Sequence, residues 1–187
     1  MIKLTEIKKM KKNKISVKAE NPFKAIATVF DYAHLDYYKQ HLSEAVIYSY
    51  KREVYQQDNP CSVFVFYTAV CSLLKACYCL QKKSKKWKVK ATLRSETVFH
   101  LTSLTEEEYD NPFMVFQKAF DEKTPEQFEF FLSEIIRLSL SPQAGEPDND
   151  RATCYIYVIK MLDAVELIRE RGVEKISKID QIMKNKA

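Results

Sequence analysis

The stretch from Leu80 to His100, LQKKSKKWKVKATLRSETVFH, contains the residue types that RNA cleavage requires. Arg94 stands six residues before His100. An imidazole can move a proton to or from a ribose 2′-hydroxyl, and a guanidinium can hold the scissile phosphate. One interpretation of the pair is therefore a metal-independent RNase site. The other is an ordinary loop arginine beside a partly buried histidine, and the spacing alone does not separate the two.

Lysines surround the single tryptophan that precedes this pair. Trp87 offers a plane on which a nucleic-acid base can stack, and the lysines can follow a phosphate backbone. Lysines also keep an exposed aromatic side chain solvated, so an ordinary solvated loop is the alternative interpretation. The residues that would bind nucleic acid are Lys82, Lys83, Lys85, Lys86, Trp87, Lys88 and Lys90.

Two histidines form a second group of candidate residues. His34 and His41 lie seven residues apart, on one face of a predicted helix, and with Asp36 or Glu44 they could bind a metal ion. Metal-binding pairs on a helix more often stand four residues apart, and the chain contains no H-E-x-x-H. The sequence favours surface or interface histidines, and we expect neither a metal nor a cofactor.

Acidic residues and cysteines offer weaker signals. Carboxylates cluster between Glu106 and Glu122, where they could perform acid–base chemistry or bind Mg²⁺, but their spacing equally describes a solvated acidic face. Four of the five cysteines fall between Cys61 and Cys79, with neither metal-ligand nor disulfide spacing. We expect the cysteines to pack in the core as small apolar residues. The odd number of cysteines and the absence of a signal-peptide pattern predict a reducing, cytoplasmic location.

Composition limits the classes of fold and of site. The 187 residues are enough for one well-cored domain, and only two of them are glycine. Scarce glycine disfavours a meander of tight turns and favours helices joined by polar loops. It also excludes the glycine-rich phosphate-binding loops, since neither G-x-x-x-x-G-K-[ST] nor G-x-G-x-x-G occurs.

Charge is distributed unevenly along the chain. Residues 1–20 contain seven Lys and two Glu, and residues 82–94 contain six Lys, one Arg and no acid. These segments carry +5 and +7, so a chain with a net charge of +5 has −7 left on its other residues. An acidic body with two basic segments suits a nucleic acid, an anionic surface or an acidic partner. Two inert solvated segments are the alternative interpretation.

Helix-start signals recur along the chain. Asn-Pro pairs place a capping residue before a proline, and Thr124 to Gln127 has the form of a capping box. A strand is predicted near 86–93, and the sequence SLTEEEYD forms about one helical turn. The first predicted helix begins at Asn21-Pro22, and the next two run from about His34 to Tyr55 and from Cys61 to Gln81. The fourth begins at Asn111-Pro112, and the fifth runs from Thr124 to about Leu140. The sixth follows a cap at Asp150 and ends at Gly172, and the last begins at Val173.

These elements predict an all-α fold, a bundle of six or seven helices with a minor strand element. We expect a basic arm over 1–20 and a single helical domain over 21–187. The helix from Cys61 to Gln81 is apolar nearly all round, so it should lie centrally and pack on several sides. The 16 residues from Asn59 to Leu74 carry no charge, and Lys75 follows them directly. This stretch is short for a membrane span, so we expect no membrane partner.

An internal similarity suggests that the bundle has two related halves. Residues 21–50 align without gaps to residues 111–140, with nine of thirty positions identical. The shared positions include Asn-Pro-Phe, Phe-Asp and Leu-Ser-Glu. The alternative is that helix-start signals recur for physical reasons without any duplication.

The order of these segments resembles a known family. The apolar helix VFYTAVCSLLKACYCL, a polar stretch with a histidine, NPFMVFQKAF and FFLSEII follow one another as in the YaaC-like proteins, which are similar to HEPN-type all-helical domains. The resemblance covers about residues 21–140. Many HEPN proteins carry an R-x4–6-H motif, and RSETVFH has that form, although only Ser95 provides the usual polar residue after the arginine and the motif follows a strand-like segment.

The resemblance implies a helical bundle, a homodimer, and a role in nucleic-acid metabolism or phage defence. Many relatives lack an active site and serve as binding modules. Three hypotheses follow for this chain. The first is a non-enzymatic helical binding or regulatory module that acts on RNA, DNA or a protein partner. The second is a metal-independent HEPN-like RNase using Arg94 and His100. The third is a protein–protein adaptor whose basic loops are inert.

Overall fold

The structure is a computed structural model, and it describes residues 21–56, 61–83, 86–90, 101, 103–146 and 148–176. The described residues form an all-α fold with a minor strand element, as the sequence predicts. Seven helices and two short strands follow one another in these ranges: α1 (Pro22–Tyr32), α2 (Leu35–Ser49), α3 (Cys61–Lys83), β1 (Trp87–Val89), α4 (Glu106–Asp110), α5 (Phe113–Glu122), α6 (Pro125–Ser139), α7 (Asn149–Arg171) and β2 (Val173–Lys175).

Local capping signals begin the helices where the sequence places them. The Asn21 side chain accepts a hydrogen bond from the Phe23 N–H at 3.1 Å, at the start of α1. Thr124 and Gln127 form the predicted capping box of α6, with reciprocal hydrogen bonds of 3.3 and 2.8 Å. Each of these side chains satisfies a backbone group that the first turn of a helix leaves without a partner.

Two predicted boundaries are wrong. Helix α2 ends at Ser49 and not near Tyr55, because the Ser49 carbonyl accepts a hydrogen bond from the Gly145 N–H at 2.7 Å. The acceptor that the next helical turn would use is therefore taken by a distant loop. Helix α7 is capped by Asp148, whose carboxylate accepts from the Asp150 N–H at 3.0 Å. Asp150, the predicted cap, instead lies in the first turn.

The helix predicted from Val173 is also wrong where the chain is described. Gly172 ends α7 with a φ of 71°, a left-handed conformation that glycine adopts without strain, and an extended ψ of 171° turns the chain away from the helix axis. The next residues form β2, which pairs with β1 in antiparallel register. Residues 177–187, the remainder of that predicted helix, lie outside the described residues.

The elements recur in the same order. Helices α2 and α6 have bounds that differ by 90 residues at both ends, the offset of the sequence similarity, and α1 and α5 end at the same offset. Each helix pair is followed by a 23-residue helix, α3 or α7, and then by a three-residue strand, β1 or β2. The described part of the chain is therefore arranged as two similar halves, with α4 preceding the second.

Backbone contacts between the halves are reciprocal. The Tyr55 N–H donates to the Ser139 carbonyl at 2.7 Å, and the Gly145 N–H donates to the Ser49 carbonyl at the same distance. Tyr55 and Gly145 differ by 90 positions, as do Ser49 and Ser139. The same hydrogen bond thus joins each half to the other.

An ion pair repeats in the same way with its charges exchanged. Lys39 of α2 lies 2.9 Å from Asp163 of α7, and Glu129 of α6 lies 3.2 Å from Lys75 of α3. Lys39 and Glu129 are equivalent at the offset of 90, and Lys75 and Asp163 occupy matching positions of the two long helices. These contacts show that equivalent positions of the two halves make equivalent interactions. That the halves arose by duplication stays a prediction.

Helix α3 lies among five other helices, α1, α2, α5, α6 and α7, as its apolar composition predicts. The first two turns of α3 are less buried than the rest of the helix, since Phe64 is 76% and Val65 37% exposed. Among the described residues α3 is the one helix long and apolar enough to cross a membrane, and half of its most apolar window is buried inside the bundle. The core helix of a soluble protein meets the same criterion of length and composition.

Glu108 places a buried carboxylate between three elements. Its Oε2 accepts from the Thr105 N–H at 3.1 Å, which completes the capping box of α4. Lys160 of α7 donates to Oε2 at 2.7 Å, and Lys118 of α5 donates to Oε1 at 3.1 Å. Burial acts to raise the pKa of Glu108, but the hydrogen bonds from Lys160, Thr105 and Lys118 lower that pKa to about 2. The carboxylate therefore joins α4 to α5 and α7.

Replacing Glu108 by Gln should lower the free energy of unfolding by about 1.5–3 kcal/mol at neutral pH, the usual contribution of hydrogen bonds to a charged group. Gln keeps the shape and the capping acceptor but removes the charge. Since the folded-state pKa of about 2 lies below the ordinary value of 4.5, the contribution is present above pH 4.5 and is lost as the pH falls toward 2. Urea unfolding of wild type and Glu108→Gln across this pH range measures the difference.

Glu107→Gln is the matched control, because Glu107 lies in the same turn and is exposed. It should change the free energy of unfolding by no more than about 0.5 kcal/mol. A loss in Glu108→Gln that is equally large at pH 2 and at pH 7 would contradict the role assigned to the carboxylate.

Candidate nucleic-acid interface

Strands β1 and β2 form an antiparallel ribbon that follows the C-terminal ends of α3 and α7. Lys88 and Glu174 lie opposite each other at its centre. The Lys90 N–H donates to the Gly172 carbonyl at 3.2 Å, which extends the pairing by one residue. The ribbon therefore fixes the middle of the basic stretch to the end of the bundle.

The strand determines which side chains of the basic stretch face solvent. Successive side chains of a strand point to opposite faces. Trp87 and Val89 pack against the hydrophobic core, whereas Lys86, Lys88 and Lys90 are exposed. The three lysines therefore form one row on the outer face of the ribbon.

Trp87 anchors the ribbon to the bundle. Its ring meets the ring of Phe23 in α1 edge to face, with centroids 5.6 Å apart, and the Lys175 ammonium lies 5.8 Å from the Trp87 centroid. The indole is half-buried. A packing role for Trp87 follows from these contacts, and its stacking on a base stays a prediction.

Glu174 is an acidic neighbour of the lysine row. Lys88 lies 3.4 Å from Glu174, and both side chains are about half exposed. Exposed ion pairs of this kind contribute only about 0–1 kcal/mol, so a phosphate can compete with Glu174. Lys82, in the last turn of α3, is exposed and has its Nζ 4.1 Å from the Tyr78 ring centroid. Lys85 and the side chain of Lys83 lie outside the described residues.

The N-terminal basic segment joins the bundle beside the ribbon. Residues 1–20 precede Asn21, the cap of α1, and Phe23 in the first turn of that helix contacts Trp87. The point at which the +5 segment enters the described structure is therefore two residues from a direct contact with the +7 segment. The sequence separates these segments by about sixty residues, and the fold brings their attachment points together.

The C-terminal residues leave from the same place. The Ile176 N–H donates to the Lys86 carbonyl at 3.0 Å, so residues 177–187 continue from the ribbon itself. These residues contain three Lys and one Asp. Lys175 adds an exposed cation within β2.

The predicted catalytic pair, Arg94 and His100, lies outside the described residues. Lys90 and Ser103, which lie on either side of residues 91–100, are both attached to the C-terminal half of α7 or to the glycine that ends it. The Lys90 N–H bonds to the residue that ends this helix, and the Ser103 hydroxyl donates to Asp163 at 2.6 Å. The attachment points are nine helix positions apart, about 14 Å at 1.5 Å per residue.

The other candidate residues are not gathered into a site. His34 is exposed at the cap position of α2, whereas His41 is stacked on Tyr37 with ring centroids 4.0 Å apart. Burial lowers the pKa of His41, which keeps the imidazole neutral near pH 7. Within the described ranges, no group of three or more His, Cys, Asp and Glu side chains is placed to hold a metal ion.

Glu108 of the acidic cluster and the cysteines Cys71 and Cys154 are buried in the bundle. Glu108 is committed to two lysines, while Glu106 and Glu107 face solvent in the same turn. Burial raises the pKa of Cys71 and raises that of Cys154 to about 11. Both cysteines are therefore neutral thiols near pH 7, a poor state for a nucleophile.

Sequence reasoning missed the second strand of the interface, with Glu174 and Lys175. The local signal is weak, because two adjacent charged residues separate Val173 from Ile176, which is not the period-2 alternation of a strand. The longer segment from Val173 has the pattern of an amphipathic helix, and the strand forms because Glu174 pairs with Lys88, 86 positions earlier in the chain.

Comparison with protein-family models, with curated proteins and with solved structures finds no match to this chain.

Proposed function

We propose that this protein is a non-enzymatic binding module whose ribbon end holds the phosphate backbone of a nucleic acid. The observation that supports it is that the attachment points of the basic segments lie together at the ribbon, where Lys88 of β1 and its neighbours Lys86 and Lys90 are exposed. Lysines on a surface neutralise phosphates and release condensed counterions, which supplies affinity without base recognition.

The lysine row would meet a high density of phosphate charge on a duplex. Lys86, Lys88 and Lys90 stand two residues apart, about 6.6 Å for an extended chain at a rise of about 3.3 Å per residue. Duplex DNA carries about one negative charge per 1.7 Å of its axis, so each lysine can reach a phosphate without a fixed register. The proposed interaction is therefore electrostatic and independent of sequence.

The triple substitution Lys86→Gln, Lys88→Gln and Lys90→Gln should weaken binding to duplex and single-stranded oligonucleotides. Fluorescence anisotropy titrations at several salt concentrations give the slope of log K against log salt. We expect a slope of about −3 or steeper for the wild type with duplex DNA, less steep by about 1 for each lysine removed. The reason is that each lost contact retains one counterion on the nucleic acid.

The control for this experiment is Lys51→Gln, Arg52→Gln and Lys75→Gln, which removes the same charge outside the ribbon. It should leave the slope unchanged. Equal effects of both triple variants would show that net charge alone attracts the nucleic acid and would reject the ribbon as the site. Binding of neither RNA nor DNA by the wild type would turn the search to a protein partner.

Trp87 substitutions separate anchoring from stacking. Trp87→Ala should lower the free energy of unfolding by about 3 kcal/mol or more through the lost packing against Phe23, whereas Trp87→Phe keeps an aromatic anchor and should lower it much less. Both effects are measured by chemical denaturation. Phe also offers a stacking plane, so Trp87→Ala decides between the roles. If Trp87 serves only as an anchor, folded Trp87→Ala binds single strands with wild-type affinity; a loss of affinity in the folded protein would instead assign Trp87 to base stacking.

RNA cleavage is the second candidate function. It is favoured by the described residues that flank positions 91–100, because Lys90 of the lysine row bonds to Gly172 and Ser103 bonds to Asp163 of the preceding helix. Arg94 follows the lysine row by four residues in the sequence. In this hypothesis the ribbon holds the RNA, and Arg94 and His100 cut it.

Incubation of RNA with the wild type in EDTA tests this alternative, beside Arg94→Ala and His100→Ala. If the segment cuts RNA, each variant should lose most of the cleavage while keeping its RNA affinity, because the ribbon lysines are unchanged. Binding by the wild type without cleavage would exclude the RNase and support the binding module.

A further inference from the structure

An apolar cavity of about 940 Å³ opens at the end of the bundle opposite to the ribbon. Its wall is built by the first turns of α3, the last turns of α6 and the residues just after α2. Helix α3 runs from the cavity to the ribbon, a distance of about 33 Å at 1.5 Å per residue. The main apolar residues of the wall are Tyr55, Val63, Phe64, Tyr67, Ile136 and Leu140.

The fold does not impose this cavity, because the matching place in the other half is closed. Gly145 and Arg151 occupy there the positions of Tyr55 and Val63. A Cβ added to Gly145 would lie 2.5 Å from Arg151 Nη1 and 2.8 Å from Leu138 Cδ1, so backbone and guanidinium fill the space. The same elements thus pack shut in one half and leave an apolar opening in the other.

The mouth of the cavity carries a positive charge. Arg137 is the only charged residue among the described residues that line it, and its side chain is 59% exposed. Its guanidinium donates two hydrogen bonds to Glu134, at 3.0 and 3.1 Å. Arg151 lies 3.8 Å from the same carboxylate. Two guanidinium groups therefore share one carboxylate, and three of the five N–H groups of Arg137 remain for a ligand.

We infer that this cavity binds an amphiphile with an alkyl chain and a single negative headgroup, of which a fatty carboxylate is the simplest. The chain lies against the apolar wall, and the headgroup meets Arg137 at the mouth. Cavities of about 300–1,000 Å³ with mostly apolar walls and few polar groups are typical of small-molecule sites. The site is separate from the ribbon and does not depend on nucleic-acid binding.

Cys61 provides a direct reporter, because its exposed thiol lies on the cavity wall while Cys71, Cys77 and Cys154 are buried. The rate at which Cys61 reacts with an aromatic disulfide reagent should fall on addition of dodecanoate below its micelle concentration. Dodecyltrimethylammonium, with the same chain and the opposite charge, should protect about fivefold less well, the upper end of the effect of one exposed ion pair. A Cys61→Ser variant gives the background from the remaining thiols.

Two variants locate the ligand. Arg137→Gln should weaken protection by dodecanoate about fivefold and should not weaken protection by the cation. Leu140→Trp, at a rim position that is 46% exposed, should weaken protection by both by narrowing the mouth. Arg52→Gln is the control, and urea unfolding confirms that each variant is folded.

Three results would overturn the inference. Dodecanoate could fail to protect Cys61, which would leave the cavity without such a ligand. Equal protection by both amphiphiles would show adsorption to an apolar surface without headgroup recognition. Protection that rises with protein concentration in the absence of any amphiphile would assign the cavity to a second copy of the chain.

Discussion

The antiparallel pairing of β1 with β2 is the contact on which the basic end of the molecule depends. Without it the stretch after α3 has no partner for its backbone, and its lysines would not be confined to one face. The pairing turns Trp87 and Val89 toward the core and leaves Lys86, Lys88 and Lys90 outside, because strand side chains alternate. The same ribbon holds Ile176 beside Lys86 through the Ile176 N–H, at the last described residue of the chain.

Polar groups inside the bundle hold its elements in register. Buried carboxylates are tolerated when cations and hydrogen-bond donors surround them, and removing one partner then leaves an unpaired charge. Glu108 meets this condition through Lys118 and Lys160, and Asp163 meets it through Lys39 and Ser103. The two carboxylates therefore attach residues 103–108, which lie between the halves, to α7.

The two halves share one architecture and differ where function is proposed. One half ends in the lysine strand β1 and opens the apolar cavity around the start of α3. The other ends in β2 and is closed at the matching place by Arg151. A two-fold arrangement of similar elements therefore supports two different surfaces, since residue identity at a few positions decides whether a space is filled or a strand is charged.

The sequence by itself determined what depends on neighbouring residues. Helix starts at Asn21 and Thr124 are local capping patterns, and the all-α class and the basic strand near Trp87 follow from composition and periodicity. Tertiary structure alone decided the end of α2, the strand after Gly172, the proximity of the points where the basic segments attach, and the cavity. Each of these depends on contacts between residues about 60 to 100 positions apart, where a carbonyl, an aromatic ring or a strand edge meets a partner that no local pattern specifies.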